Sequence, residues 1–529
     1  MTNDTLPIIK EAHHPYFDVD ISHGQTENDM STYSKFLCLY TRNLYSYELY
    51  CIQDKQNCQF TENWEELSNI LKQKTGKINE HGVTEVEITA EESHRMTPFH
   101  NVAIKVSEYQ IGDENQIRGV ITTVENENSF NTWFIYHILC KIHVGYSSEP
   151  SVQSEVDYAE LFTQYFERNL KNTIQGDEWI TMNGRQYFKE RVCYFTSRHK
   201  RIECILPAFP CKSSNLKKVH GDVPDKGEEL AFVNLINATK EISKFYPPGM
   251  KLWIVSDGHV FSDCIGVDDD VVDSYTAHLH GLYRSLAEPG TDAIGFAGLK
   301  DLFFEGESSE SFDPRWVEEI ELPHYTGTKI CPDSELSRKI LMKGCDTENG
   351  RLKKQLNIPD HPRLHLFRGF SKFMTEDLCL LPFFQGISRK GFKKVVAKVA
   401  FEMIKRNDAY SNLVELVFPH HMRLSIHAHT NSGPKFGIKI ISPLQCKTIR
   451  SLDNEEEPTF EDLLHIPTPW HNCVVKIEEN ERFYLTKTKT VMDAIENGNY
   501  EGTWVKTDVE TGVGGHYLLR RVRKINKIN

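Results

Sequence analysis

Three stretches of the sequence gather side chains able to handle anions, amines and protons. In the first, Pro207-Ala208-Phe209-Pro210-Cys211 leads into Lys212, Ser213, Ser214 and Asn215, with Lys217, Lys218 and His220 close behind. Ammonium, hydroxyl and amide donors at this density could hold a phosphate or carboxylate by charge-assisted hydrogen bonds. A solvated basic loop is the plainer reading, and spacing leaves the two level; the G-x-x-x-x-G-K-[ST] pattern of a nucleotide cradle is absent. The second stretch, Ser256-Asp257-Gly258-His259-Val260-Phe261-Ser262-Asp263, continues through Gly266 to Asp268, Asp269, Asp270 and Asp273. A carboxylate at a strand end can orient an amine or a sugar hydroxyl, and it becomes a base once partly desolvated. Asp257 and Asp263 are the candidates, whereas the aspartates from 268 onward suit helix caps and dipole partners. In the third stretch, Phe418 to His429, strand alternation would put Arg423, Ser425, His427 and His429 on one face and Leu424, Ile426 and Ala428 on the other. The plainer reading, a polar outer face on an edge strand, is the commoner meaning of such a pattern. His427 and His429 lack a third ligand at motif spacing, so no metal is expected.

These pieces do chemistry only if the chain carries them to one place. Ile202 to Leu206 is a short apolar run broken by Pro207 and Pro210, which predicts a buried strand opening into a loop. A helix is expected from Lys226 to Tyr246, with Asp225 as N-cap, Glu228 as its capping-box partner and Pro247-Pro248-Gly249 as its end. Leu252 to Val255 is a second strand, opening into the Ser256 to Asp263 loop, and a helix follows from near Asp270 to Leu286. Further expectations are strands at Ile294 to Leu299 and Leu364 to Phe367. A helix from Arg389 to Arg406 would put Phe392, Val395, Val396, Val399 and Met403 on one face. Strand, loop and helix in repetition predict an α/β class: a mostly parallel, Rossmann-like sheet flanked by helices. In such sheets ligands bind beyond the carboxyl ends of the strands, where the first two stretches fall.

At 529 residues the chain exceeds one ordinary core. Residues 1–30 read as a mobile tail. Residues 31–150 read as an added small α+β N-terminal unit, with Tyr33, Phe36, Leu37, Tyr40, Leu44 and Tyr47 at helical spacing and an alternating Thr84 to Ile88. That unit offers aromatics without a convergent polar set, so packing or homodimer formation is its stronger reading. Ser147 to Glu155 is the expected linker, 151–445 the α/β domain, and 446–529 a C-terminal part packed on it. Asn454 to Glu457 reads as a surface loop and Gly512 to Gly515 as a turn. A formal net charge of -14 argues against a nucleic-acid partner. No apolar run is long enough for a membrane span, and Met1 to Asp20 lacks a signal pattern. Thirteen cysteines without a C-x-x-C pair suit a reducing compartment, so the expected location is cytoplasmic.

Taken in order, Leu206 to Asn215 with Lys217, Lys218, Gly221, Pro224, Asp225 and Glu228, then Ser256 to Asp263 with Gly266, Val267, Asp268 and Tyr275, then Arg423 to His427, and finally Pro467-Thr468-Pro469-Trp470-His471, resemble the pattern of the pyoverdine/dityrosine biosynthesis family of isocyanide synthases. The chain's length and added N-terminal unit are most like the yeast spore-wall branch. The resemblance implies an enzyme that needs no metal or nucleotide cofactor in its key step. It joins the amino group of an aromatic amino acid, here L-tyrosine, to the ketone of ribulose 5-phosphate as co-substrate. The product would be an isocyanide or its hydrated form, N-formyl tyrosine, which a cytochrome P450 of the pathway couples into dityrosine for the spore wall. On that implication, Lys212, Ser213, Ser214 and Asn215, with Lys218 and Arg423, would hold the sugar phosphate. Asp257 or Asp263 would take the ammonium, His427 would move protons, and Ser256, Gly258 and Ser425 would line the substrate site. Lys212 could instead form a Schiff base with the ketose if burial or a neighbouring cation lowered its pKa. The rival readings are a folate-type N-formyltransferase acting on tyrosine and a non-catalytic binder of the sugar phosphate or amino acid.

Overall fold

The computed structural model describes six strands between residues 36 and 124, and residues 156–522 apart from 198, 305–316, 344–348, 419–420, 428, 434, 459–466, 481 and 509–512. The six strands are β1 (Phe36–Asn43), β2 (Ser46–Asp54), β3 (Lys77–Ile78), β4 (Thr84–Ile88), β5 (Ile104–Ile111) and β6 (Ile117–Val124). They form an antiparallel sheet of order β1-β2-β6-β5-β4-β3. The alternation at Thr84 to Ile88 is therefore a strand, as expected, but the helix suggested by Phe36, Leu37, Tyr40 and Tyr47 is not there. β1 and β2 pair as a hairpin instead; Phe36 and Tyr40 in β1 and Tyr47, Tyr50 and Ile52 in β2 favour a pleated surface, and a few apolar positions cannot separate the two periods. The expected tail at 1–30 and linker at 147–155 lie outside the described residues.

From residue 156 the chain builds helices α1 (Tyr158–Tyr165) and α2 (Gly184–Thr196) and then a five-stranded parallel sheet. Its strands are β7 (Ile202–Pro207), β8 (Met250–Ser256), β9 (Ile294–Gly298), β10 (Met422–Ser425) and β11 (Phe436–Gly437), in the order β11-β10-β7-β8-β9. β7 and β8 are buried along almost their whole length, as strands covered on both faces must be. Between β7 and β8 runs α3 (Lys226–Phe245), whose start is the expected capping box: Asp225 Oδ1 accepts from Gly227 N at 2.7 Å and Glu228 Oε2 from Asp225 N at 2.9 Å. After β8 come α4 (Gly258–Ile265) and α5 (Asp269–Leu286), so most of the expected Ser256 to Asp263 loop is helix. The short α6 (Leu299–Phe304) follows β9.

Four further helices lie between α6 and β10 in the chain: α7 (Pro332–Lys343), α8 (Asn349–Leu356), α9 (Pro362–Leu378) and α10 (Arg389–Val417). The expected strand at Leu364 to Phe367 falls inside α9. Pro362 opens that helix and the His361 ring caps Arg363 N at 3.1 Å, signals that outweigh a four-residue apolar run. α10 begins at Arg389 as expected, capped by Ser388 Oγ, but continues eleven residues past Arg406. β10 is interior to the sheet and buried throughout, so the edge-strand reading of Arg423 and Ser425 is overturned.

The remaining chain forms a mixed sheet of β12 (Cys446–Thr448), β13 (Cys473–Ile477), β14 (Phe483–Thr486), β15 (Tyr500–Val505) and β16 (His516–Arg521), with α11 (Thr488–Glu496) covering it through Val491 and Ala494. Leu230 of α3 packs with Cys446, Val474 and Leu485, which seats this sheet on the start of α3. Burial of each such aliphatic side chain contributes about 1.5–3 kcal/mol. Gly514 makes the approach possible, since a Cβ there would fall 2.6 Å from the Asp225 carbonyl carbon.

Candidate active site

In the parallel sheet the chain passes from β7 to β8 on one side, while β10 pairs on the other, so the strand order reverses at β7. A crevice opens at the carboxyl ends beside such a reversal. Pairing of Arg423 with Ile205 and of Pro207 with Val255 puts Ser425, the loop after Pro207 and Ser256 along that one edge. The loop leaves β7 under strain: Phe209, fully buried, adopts φ 56°, held between Phe232 at 5.3 Å and Trp470 at 4.9 Å. A bulky residue in this conformation costs on the order of 1–3 kcal/mol and persists only where its surroundings impose it.

Asp257 occupies the N-cap position of α4 but makes no capping bond. Burial pushes its carboxyl up to about 6, and among the described residues no cation answers it. Ser256 Oγ donates to Phe209 O at 3.3 Å and accepts from Gly258 N at 3.3 Å. Gly258 itself is required by packing: a Cβ would press on Pro210 O and stand 2.7 Å from Val272 Cγ1. Tyr410 of α10 donates to Val255 O at 2.9 Å and feels both Asp257 and Arg423. Arg423 reaches Ser411 through Nη1 to O at 3.1 Å and Nη2 to Oγ at 2.7 Å, and Lys435 Nζ donates to the same Oγ at 2.9 Å. His429 Nε2 meets Ser425 Oγ at 2.9 Å; burial, then Lys435 and Arg423, push this ring down to about 4, so it is neutral at physiological pH. His427, by contrast, is exposed, and it is its backbone N–H that bonds Ser425 Oγ, at 3.1 Å. The proton-moving role expected of His427 therefore has no enclosed setting.

Two other expectations meet full ion pairs. Asp263 is buried and bound by Arg406 at 2.5 and 3.0 Å. Although burial alone would raise it, Arg406, His324 and Arg338 hold its carboxyl well below the usual range. An aspartate so engaged is a strut between α4 and α10 and is not free to receive a substrate ammonium. Lys212 is buried between Asp225 and Glu228, each at 2.8 Å, and donates to Pro469 O at 3.1 Å. Burial opposes its charge, yet the two carboxylates outweigh that and hold the ammonium above the usual lysine range. This is the reverse of what a Schiff-base lysine needs.

The rest of the first stretch turns towards α9. Ser213 Oγ donates to Asp377 Oδ1 at 3.1 Å, Ser214 Oγ to Ile265 O at 2.9 Å and Asn215 Nδ2 to Glu376 O at 2.8 Å. These donors are used in holding the loop. Lys218, paired with Asp377 at 2.6 Å and Glu376 at 3.0 Å, lines a cavity of about 370 Å³ between α9, the Pro467–His471 segment and the C-terminal sheet. Lys372, Arg450, Thr486 and Lys487 also line it. Burial and the neighbouring Lys218 lower Lys487 to about 8. The buried Cys211 thiol lies within electrostatic reach of both Asp257 and Asp377, and burial is what mainly raises it.

The structure thus brings Ser256, Asp257 and Ser425 to one edge, with Arg423 two residues back along β10, and Lys218 to the cavity beside α9. Lys212, Ser213, Ser214, Asn215, Gly258 and Asp263 serve the framework. Sequence reasoning missed Tyr410, Ser411, Lys435, Asp377, Thr486 and Lys487, which carry no motif spacing; Lys218 and the Pro467 to His471 piece did mark the cavity wall. Among the described residues no group of three His, Cys, Asp or Glu side chains could hold a metal ion, and no helix is long and apolar enough to cross a membrane.

Comparison with known proteins agrees with the order of these segments. The chain is 59% identical over 515 residues to the spore wall maturation protein DIT1 of Saccharomyces cerevisiae, covering 96% of this chain and 94% of the relative. It is 31% identical over 337 residues to an L-tyrosine isonitrile synthase of Xenorhabdus nematophila, covering 64% and 83%. The crystal structure of the PvcA protein from Pseudomonas aeruginosa aligns with 68% of this chain and 99% of its own at 27% identity, with a TM-score of 0.50. The family model described as pyoverdine/dityrosine biosynthesis protein matches residues 192–498, which contain β7 to β9, the whole helical insertion, β10 and the cavity wall. The chain belongs to the pyoverdine/dityrosine biosynthesis protein family.

Proposed function

We propose that this chain modifies the amino group of L-tyrosine, taking one carbon from ribulose 5-phosphate to give tyrosine isocyanide or its hydrated form, N-formyl-L-tyrosine, as a precursor of spore-wall dityrosine. The observation that carries this reading is Asp257, a carboxyl pushed up to about 6 with no cationic partner among the described residues, near Tyr410, which feels both Asp257 and Arg423 of the Arg423, Ser411 and Lys435 cluster. High identity to a spore wall maturation protein and lower identity to an L-tyrosine isonitrile synthase supply the substrate class.

Condensation begins when the neutral tyrosine amine attacks the ketone carbon: the C–N bond forms and the carbonyl oxygen takes up a proton. Loss of water from the carbinolamine then leaves an imine, and that departure needs an acid. A carboxyl titrating near 6 can take the ammonium proton as base and return it to the leaving hydroxyl as acid. Arg423 and Lys435 would stabilise the developing oxyanion or a substrate carboxylate. Incubation of the purified chain with L-tyrosine and uniformly 13C-labelled ribulose 5-phosphate is the test. The expected product carries one labelled carbon on the tyrosine nitrogen. Unlabelled N-formyl tyrosine made only when a formyl folate is added would replace this reading with ordinary formyl transfer, and ligand binding without product would leave a binding protein. The product is of the kind that an oxidative coupling enzyme, such as a cytochrome P450, would join in pairs.

A further inference from the structure

The geometry points to a binding site for the phosphate monoester of a small polyol in the cavity between α9 and the C-terminal sheet, with Lys218 and Lys487 taking the phosphate and Thr468 and Thr486 the polyol hydroxyls. The identification of that ligand with ribulose 5-phosphate rests on the proposed function; the site itself rests on three observations.

First, the hydroxyls of Thr468 and Thr486 are buried, with residue exposures of 1% and 2%, and neither has a hydrogen-bond partner among the described residues. Buried hydroxyls are nearly always satisfied, both residues line the cavity, and a turn of either side chain about χ1 would present its hydroxyl to a ligand there. Second, the lining holds four cations, Lys218, Lys372, Arg450 and Lys487, against one acid, Glu376, in a chain of net charge -14. That concentration opposes the overall charge and suits a dianion. Lys487 donates to His471 O at 2.6 Å and, among the described residues, forms no ion pair, while the carboxylates nearby are committed to Lys218. Its lowered pKa follows from burial beside Lys218, and an arriving phosphate would relieve that repulsion. Third, about 370 Å³ is the size of a small-metabolite pocket, and Lys218 on its wall is held in place by Asp377 and Glu376. The C-terminal sheet, which supplies Thr486 and leads into Lys487, becomes part of the site.

Titration calorimetry on the full chain tests this with ribulose 5-phosphate, ribulose and inorganic phosphate as probes, on the wild type, Lys487→Met and Thr486→Val. Wild type should bind ribulose 5-phosphate and bind ribulose at least about tenfold more weakly, because the charged contacts are lost. Lys487→Met should weaken the sugar phosphate roughly ten- to a hundredfold and leave L-tyrosine binding unchanged. Thr486→Val should weaken it several-fold without lowering the melting temperature, since an unpaired buried hydroxyl contributes nothing to the fold. That separates ligand binding from a structural role. Wild-type affinity in both variants overturns the site. Binding of inorganic phosphate but not of ribulose 5-phosphate, lost in Lys487→Met, upholds the anion site and removes the ketose. Labelled sugar carbon entering product while Lys487→Met keeps the wild-type KM for the sugar phosphate would remove the site and leave the proposed function standing.

Discussion

Two aspartates six residues apart, Asp257 and Asp263, show how little residue type alone says. Asp263 is answered by Arg406, 143 residues away in sequence, and becomes a strut; Asp257 finds no cation among the described residues and stays a base in waiting. In the folded state the Asp257 carboxyl titrates at about 6, above the 3.8 of an unperturbed aspartate. The fold therefore binds that proton more tightly than the unfolded chain does. Stability is undiminished below about pH 4, falls as the pH rises from there to 6, and stays lower above it. Asp257→Asn should accordingly gain on the order of 1–2 kcal/mol in urea unfolding at pH 7.5 after allowance for partial exposure, and little at pH 4. The same substitution should reduce kcat by about a hundredfold or more, and wild-type kcat/KM should rise through pH 6. A variant less stable at pH 7.5 would mean that Asp257 holds the fold together. Neither fate could be read from the Ser256 to Asp263 stretch, because both depend on α10, whose residues meet α4 only in the folded chain.

At the scale of elements, local signals were read well and long-range partners were not. The capping box at Asp225 and Glu228, the apolar runs of β7, β8 and β9 and the stripe of α10 are written within a few residues of themselves, and the structure has each of them. The strand expected at Leu364 and the helix expected at Phe36 rested on short apolar runs that fit either period, and both gave way to stronger cues. What the capping box did not disclose is that Lys212 reaches into it and pairs with both carboxylates at once. Lys212→Met should leave Asp225 and Glu228 facing each other unpaired beneath the C-terminal sheet. The expected loss is about 3–5 kcal/mol by denaturant unfolding, the usual consequence of removing one side of a buried ion pair. Borohydride treatment of the wild type during turnover with ribulose 5-phosphate should give no adduct on Lys212. A reduced sugar adduct there would restore the covalent role that its pairing denies.

Over the whole molecule, the α/β class was legible, because alternation of strand and helix dictates a parallel sheet whose loops converge at its carboxyl edge. The contribution of the C-terminal sheet was not: Thr486 and Lys487 sit in an unremarkable strand-to-helix junction, and their meaning comes from docking against Lys218 and α9. That docking turns on a close contact at the start of α3. Gly514 N donates to Glu229 Oε2 at 2.6 Å, Lys226 N to Gly515 O at 2.8 Å and Thr507 Oγ1 to Pro224 O at 3.0 Å. Gly514→Ala would drive a methyl into the Asp225 and Lys226 backbone. Since backbone cannot swing aside as a side chain can, the sheet must shift, at about 1–3 kcal/mol. The shift moves Thr486 and Lys487 relative to Lys218 while leaving the Asp257 edge in place. KM for ribulose 5-phosphate should therefore rise several-fold, with KM for L-tyrosine and kcat at saturating sugar phosphate near wild type. Loss of stability with both KM values unchanged would confine the C-terminal sheet to support of the fold, because a site built across the seam cannot ignore a displacement of one of its walls.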